Sequence, residues 1–343
     1  MQIVVVTVLL IITVALSIYS LSVSNFHITL QEALNAIINR INGHIPDRQT
    51  DYIAWMIDYI VINDNVPRTI VAVLVGTVLA ICGAVMQTLT RNPLAEPYTI
   101  GISSAAMFGV TISIALGISI IPGLSGDLAN GINAFVFAMV PALVIVLITT
   151  GKKLSPNMMV LVGIGMMYVF SSITTLIKFN ANEEKLQEIY IWGLGTLSKV
   201  TWDSILPLML TAIVVFVGFI LLSRKINVLM SGDNVCQSLG VNPTKVRMLS
   251  FAVVSFGVAV VVCFTGTIGF VGLVAPHITR LFTGNNNRIL IPASALCGAM
   301  MILISDIIVR MLPGGLPVGV ITAMIGSPMF LYFLFKQRKN QNF

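Results

Sequence analysis

Charge is what this sequence has least of. Thirteen acids and nineteen lysines and arginines make up 9% of 343 residues, against roughly a quarter in soluble domains. Several apolar stretches reach or pass the ~20 residues that carry a helix across the hydrocarbon core. They are too long and too uniformly apolar for the alternating strands of a barrel, and a helix satisfies its own backbone in lipid. The expected fold class is therefore all-α and integral to a membrane. The net charge of +6 is then a topology signal. No basic patch interleaved with aromatics points to nucleic acid.

Reactive groups are equally scarce. The four cysteines, Cys82, Cys236, Cys263 and Cys297, form no C-x-x-C pair, so they read as small buried residues and not as a disulfide framework or metal site. A phosphate-binding loop needs G-x-x-x-x-G-K-[ST]. The one Gly-Lys pair, Gly151-Lys152, is followed by Lys153 and has Val146 where the first glycine belongs. There is no H-E-x-x-H, no nucleophile elbow and no carboxylate pair at catalytic spacing, so no catalysis, cofactor or metal is expected. The interiors of the second, fourth, fifth, sixth and seventh spans carry no acid, base or histidine. Ion-coupled transporters keep such groups as relays, so the energy for any transport is expected from another subunit.

What is present is a series of spans. Gln2–Val23 reads as the first, since it lacks the basic start and cleavage site of a signal peptide. In the polar region 25–65, Leu30, Leu34, Ile37, Ile38 and Ile41 repeat at helical spacing, and Tyr52, Trp55 and Tyr59 fit an interfacial aromatic belt. Further spans are expected over Arg68–Leu89, Tyr98–Ile120, Ile132–Thr150, Met158–Ile177, Trp202–Leu222, Met248–Phe264, Ile268–Ile278, Ile289–Met311 and Val318–Phe335. Pro122–Asp127 and Lys178–Glu188 read as loops, Gly151–Lys153 as a basic turn, and Tyr190–Val200 as a short half-buried helix. Ten spans put both termini on one side. With the tail Lys336–Lys339 inside, Lys152, Lys153, Arg224, Lys225, Lys245, Arg247, Arg280 and Arg288 are inside too, and most acids fall outside. That bias places both termini in the cytoplasm.

One stretch organises the chain. Val66–Ala106 opens with Pro67-Arg68 and continues through a helix with Ala72, Gly76, Ala80 and Ala84 in one small-residue stripe. It passes Gly83-Ala84-Val85-Met86-Gln87, breaks at Asn92-Pro93-Leu94-Ala95-Glu96-Pro97, and restarts at Gly101-Ile102-Ser103-Ser104. A second run, Gly266–Arg280, holds Gly269, Gly272, Pro276 and His277. Paired interrupted segments in two halves mark a transport pathway. His277 beside a proline reads more simply as a hydrogen-bonded structural residue than as a metal ligand. Asp306 stands four residues before Arg310, the favourable order for an ion pair on a helix.

These ordered motifs, with Leu316–Val320 and Gly326-Ser327-Pro328, resemble the FecCD-type permeases of ABC importers for iron-siderophores, haem and vitamin B12, over about Val66–Phe335. The resemblance implies a single permease domain over residues 1–343, of the type II importer kind, multi-pass in the cell membrane. Its partners would be a cytoplasmic ATPase dimer, a second permease, a substrate-binding protein outside and a metal-chelate cargo. It implies that Arg68 and Arg310 face outward to receive the binding protein's carboxylates. The family's further arginine three residues before Arg68 is Asn65 here. It also implies a coupling segment within 224–247, built from two short helices and holding Gly232, Asp233, Ser238, Leu239, Gly240 and Val241. Gln87, Asn92, Pro93, Glu96, Pro97, Gly269, Gly272, Pro276 and His277 would line the pathway or break its helices. An ion-coupled secondary transporter is the alternative.

Overall fold

The structure is a computed structural model that describes residues 2–149 and 155–341, with side chains through residue 332 apart from that of residue 149. Lys152 and Lys153, and the side chains of Lys336, Arg338 and Lys339, thus lie outside the described residues. No strand occurs among those described. The chain runs α1 (Gln2–Ser20), α2 (Leu30–Ile41), α3 (Tyr52–Tyr59), then a π-helical turn (Ile60–Asn65) that leads without a break into α4 (Val66–Leu89). A 3-10 turn (Pro97–Ile100) precedes α5 (Ile102–Leu116), followed by α6 (Gly126–Thr149), α7 (Pro156–Phe179) and α8 (Glu183–Gly193). After α9 (Trp202–Met230) and the short α10 (Asp233–Ser238) come α11 (Pro243–Thr265), α12 (Val271–Thr283), α13 (Asn287–Met311) and α14 (Val318–Gln341).

Ten of these helices occupy the places of the ten expected spans. Among the described residues seven helical stretches are long and apolar enough to cross a membrane unaided; Ile102–Leu116 and Val318–Tyr332 are shorter apolar helices. α12 has only 13 residues, about 20 Å of rise against a core of about 30 Å. Its N-terminal half is replaced by the irregular 266–270 stretch.

Several boundaries differ from expectation: α9 runs on to Met230, past the expected Leu222, and α11 and α12 start at Pro243 and Val271 instead of Met248 and Ile268. Gly126 and Asp127 start α6 instead of closing a loop, because an acid in the first turn suits the positive end of a helix. The charged stretch 178–188 is largely helical: α8 starts at Glu183, with Asn182 as its N-cap, and stops at Gly193, so 194–200 is the turn. A helix rich in glutamate gives no hydrophobic signal.

α4 is the hub and packs on α13, α9, α12 and α11. In an 18-residue window of the Tyr52–Leu89 stretch that ends in α4, 78% of residues are buried, against 11% for α1 and 17% for α7. The small-residue stripe is the cause. A Cβ on Gly76 would run into the Gly298 backbone of α13, and one on Gly83 into the Gly272 backbone of α12. Glycine at both crossings lets the backbones touch, which is how helices gain packing energy in lipid. α2 opens with a Thr29–Glu32 capping box and buries Ala33 and Ala36 among the Ile28, Ile57 and Val61 side chains. Its expected apolar repeat is present, but Leu30, Leu34, Ile38 and Ile41 face outward.

Candidate functional site

The two interrupted segments meet. Gln87, near the end of α4, donates from Nε2 to the Leu273 carbonyl at 3.1 Å. Arg280 of α12 donates in turn to the Gln87 Oε1 and, at 3.3 Å, to the Ala84 carbonyl. Pro97 packs on Gly272. The Phe270 N–H donates to the Glu96 carboxyl, and the Gly269 backbone leaves room beside it. Asn92 turns the chain by accepting from the Leu94 N–H at 2.9 Å. Gln87, Arg91, Pro93, His277 and Arg280 line one cleft of about 370 Å³. His277 is buried, with α12 continuing through Pro276, so Pro276 does not end the helix. Gln87, Pro93, Glu96, Pro97, Gly269, Gly272 and His277 thus come together around α4 and α12, while the Asn92 side chain bonds within its own turn.

At the end of the molecule where α1 finishes and α4 begins, two arginines share one aspartate. Arg68 Nε lies 2.7 Å from Asp306 Oδ1, and Arg310 lies 2.9 Å from Asp306 Oδ2. Asp306 is fully buried. Arg310 also donates to the Ser20 carbonyl at 2.8 Å, the Val23 carbonyl at 2.9 Å, and the Ser20 hydroxyl. Asn65 accepts from Arg310 at 3.3 Å and donates to the Leu21 carbonyl at 2.8 Å. The expectation that Arg310 faces outward is corrected: it is 8% exposed, and its guanidinium caps the last carbonyls of α1. Arg68 and Arg310 do share the wall of a shallow pocket of about 380 Å³ with Asp64 and Ser198. Asn65, in the place of a family arginine, closes the same cap.

At the opposite end the pattern recurs. Asp233, first residue of α10, takes both Arg247 nitrogens, NH1 at 2.8 Å and NH2 at 2.6 Å. Arg91 NH2 donates to the same carboxylate at 2.8 Å and to the Leu229 carbonyl at 2.7 Å. Arg247 is completely buried, while the Asp233 side chain is 40% exposed. The Arg247 hydrogen bond above all, with the two cationic charges, holds the Asp233 carboxyl below the ordinary aspartate value.

α10 is a separately capped unit. Gly232, at φ 109°, opens it. At its end the Gly240 N–H donates to Gln237 and the Val241 N–H to Cys236, a Schellman stop with left-handed glycine at Gly240. Asn242 then caps α11, with Pro243 in its first turn. There is one short helix here, and the second expected one is the first turn of α11. Cys236 anchors α10 by burial and a contact to the Val228 carbonyl. Ser238 and Gly240 face out, and Leu239 is 63% and Val235 43% exposed.

Comparison with known proteins decides the family. Residues 9–336 match the FecCD transport family. The chain belongs to it. It is 36% identical, over 97% of its length and 94% of the relative's, to a protein of Methanocaldococcus jannaschii named as an ABC transporter permease. It is 32% identical to the hemin transport system permease of Yersinia pestis, over 83% and 85% of the two chains. Among solved structures, an inward-facing metal-chelate type ABC transporter matches with a TM-score of 0.83 at 26% identity, over 96% of this chain and 98% of that one. As a member of this family the chain is a multi-pass transport permease of the cytoplasmic membrane, and ATP hydrolysis belongs to a partner ATPase. Membership also implies a second permease subunit.

Sequence reasoning found Asp233 but missed Arg91 and Arg247. Arg247 read as an inside charge. Arg91 has one local signal: it follows α4 where a glycine is usual.

Proposed function

We propose that this chain and a second permease form the transmembrane pathway of an importer for a bulky metal chelate, an iron(III)-siderophore first, then haem, then a corrinoid. Both termini are cytoplasmic. The α10 end is then inside, with its basic residues, and the Arg68–Asp306–Arg310 end is outside. α7 presents a long apolar face suited to the second permease. A substrate-binding protein docks outside, near the Arg68 pocket and not on the Arg310 guanidinium, which is already engaged within the chain.

The observation that carries the reading is α10. A six-residue helix with its own start and stop signals holds Val235 and Leu239 out to solvent. A free-standing apolar knob on the cytoplasmic side fits a groove of the ATPase. The permease itself performs no chemistry; it has two packings whose relative stability the ATPase changes.

A deletion strain supplied with single chelates tests this. Wild type is expected to restore growth on one of them, and Leu239→Asp to fail at equal membrane level. Full growth with Leu239→Asp would remove α10 from the coupling role and favour an ATPase-independent transporter.

A further inference from the structure

Arg91 breaks a local rule. α4 ends in a Schellman stop: the Arg91 N–H donates to Thr88 and the Asn92 N–H to Gln87. The residue in the left-handed position is Arg91, at φ 51°, where glycine carries no Cβ penalty. Among the described residues the other left-handed non-glycine is Phe270, at the facing break. Non-glycine residues persist in such a conformation when their surroundings over-determine it, and such outliers cluster at functional elements. Here the surroundings are visible. The turn throws the guanidinium onto the last carbonyls of α9 and the first residue of α10: Nε at 3.1 Å and NH2 at 2.7 Å from Leu229, and NH2 at 2.8 Å from Asp233. A glycine would make the same turn without reaching either.

We propose that Arg91 is the positioning residue that transmits α10 movement to the Asn92–Pro97 break, with Asp233 as the shared pivot. Asp233 is held on its other side by the buried Arg247 at the start of α11. A displacement of α10 therefore has two rigid outlets. One is α11, through Arg247. The other is the turn at the end of α4, through Arg91, and the same turn carries Glu96 to Phe270 at the start of α12 and Pro97 against Gly272. The contacts are charge-assisted and directional, the kind that bears load between elements distant in sequence. This inference rests on the coupling reading of α10.

The test uses the full permease assembled with its ATPase, native cysteines replaced by serine, and spin-label pairs Leu94→Cys/Met311→Cys and Gln237→Cys/Met311→Cys. Leu94 and Gln237 are exposed, one on the break and one on α10, and Met311 is exposed at the far end of α13. Distances are compared without nucleotide and with ATP. In the otherwise wild-type protein both pairs are expected to shift. With Arg91→Ala the Gln237 pair is expected to shift as before, while the shift of the Leu94 pair is lost. Arg91→Lys, which keeps the charge but cannot hold Leu229 and Asp233 together as a planar fork, is expected to recover part of it. An undiminished Leu94 shift in Arg91→Ala overturns the proposal. So does loss of both shifts with Arg91→Ala alone, which would make Arg91 a mere prop for α10. Absence of a Gln237 shift in the wild type overturns the coupling reading itself, and Leu239→Asp separates that failure by its effect on ATPase pull-down. Should Arg91→Ala not reach the membrane, Asp233→Asn, which keeps the shape of the pivot, is expected to weaken the Leu94 shift in the same way.

Discussion

The molecule builds the same three-residue cluster twice, at opposite ends, from two arginines and one aspartate. The surroundings differ. Asp306 is sealed, near the C-terminal end of a 25-residue helix, and its partner Arg310 is engaged by the carbonyls of Ser20 and Val23 at and just after the end of α1. Asp233 is 40% exposed, on a six-residue helix with glycines at both ends. Burial makes the first a staple. Partial exposure on a small, separately capped helix makes the second suited to movement. The chemistry of an ion pair does not state its role; the element that carries it does.

The largest way to break the comparison is Asp306→Ala. It leaves the buried Arg310 guanidinium without its carboxylate and Arg68 without its partner, and breaking a buried pair costs about 3–5 kcal/mol. A marked fall in melting temperature in detergent and in membrane level is expected, whereas Asp233→Ala is expected to lower stability far less and chelate uptake far more. Equal melting losses would erase the distinction. Next comes Arg310→Lys. One ammonium cannot serve Ser20, Val23 and Asp306 together, and each lost charged hydrogen bond is worth about 1.5–3 kcal/mol. Faster proteolysis in the 21–28 segment is the expected readout, with uptake per surviving molecule unchanged.

Arg91→Gly sharpens the contrast further, because stability and function part company. Relief of the left-handed strain, of order 1–3 kcal/mol, offsets the lost side-chain contacts. A melting temperature near that of wild type is expected, together with poor uptake. A clear fall in both would make Arg91 structural.

The smallest expected effect is that of pH. Asp233 is held below its ordinary 3.8, so its contribution is fully present above the unfolded value and disappears only as pH falls through the lower folded one. The distance between labels on 94 and 237 is expected to stay flat between about pH 7 and 5. A midpoint inside that range would place the switch on another group.

Much of this was legible. The Val66–Ala106 motifs and the small-residue stripe located α4, its close-packing face and the helix break, though not the helices that cross it, because close helix contact and a proline-broken turn leave ordered marks in sequence. The stop signals around Gly240 located α10. Other features were hidden for definable reasons. α8 is charged on its outer turns and so carries no apolar period. The i,i+4 spacing of Asp306 and Arg310 announced a pair but could not announce the α1 carbonyls, which lie 290 residues away for Ser20. Arg91 carried no sequence signal beyond opening a polar turn. Only its backbone angle sets it apart, and an arginine in a glycine's place is invisible until the turn is seen.

The exposed cluster transmits and the buried one fastens, and this division of roles can be measured. It is tested most directly by the ratio of chelate imported to ATP hydrolysed in vesicles holding the full transporter, with Arg91→Gly set beside wild type at equal protein. The ratio is expected to fall by roughly five- to a hundred-fold, the range of coupling between linked sites, while ATP hydrolysis continues. A ratio equal to that of wild type would contradict it.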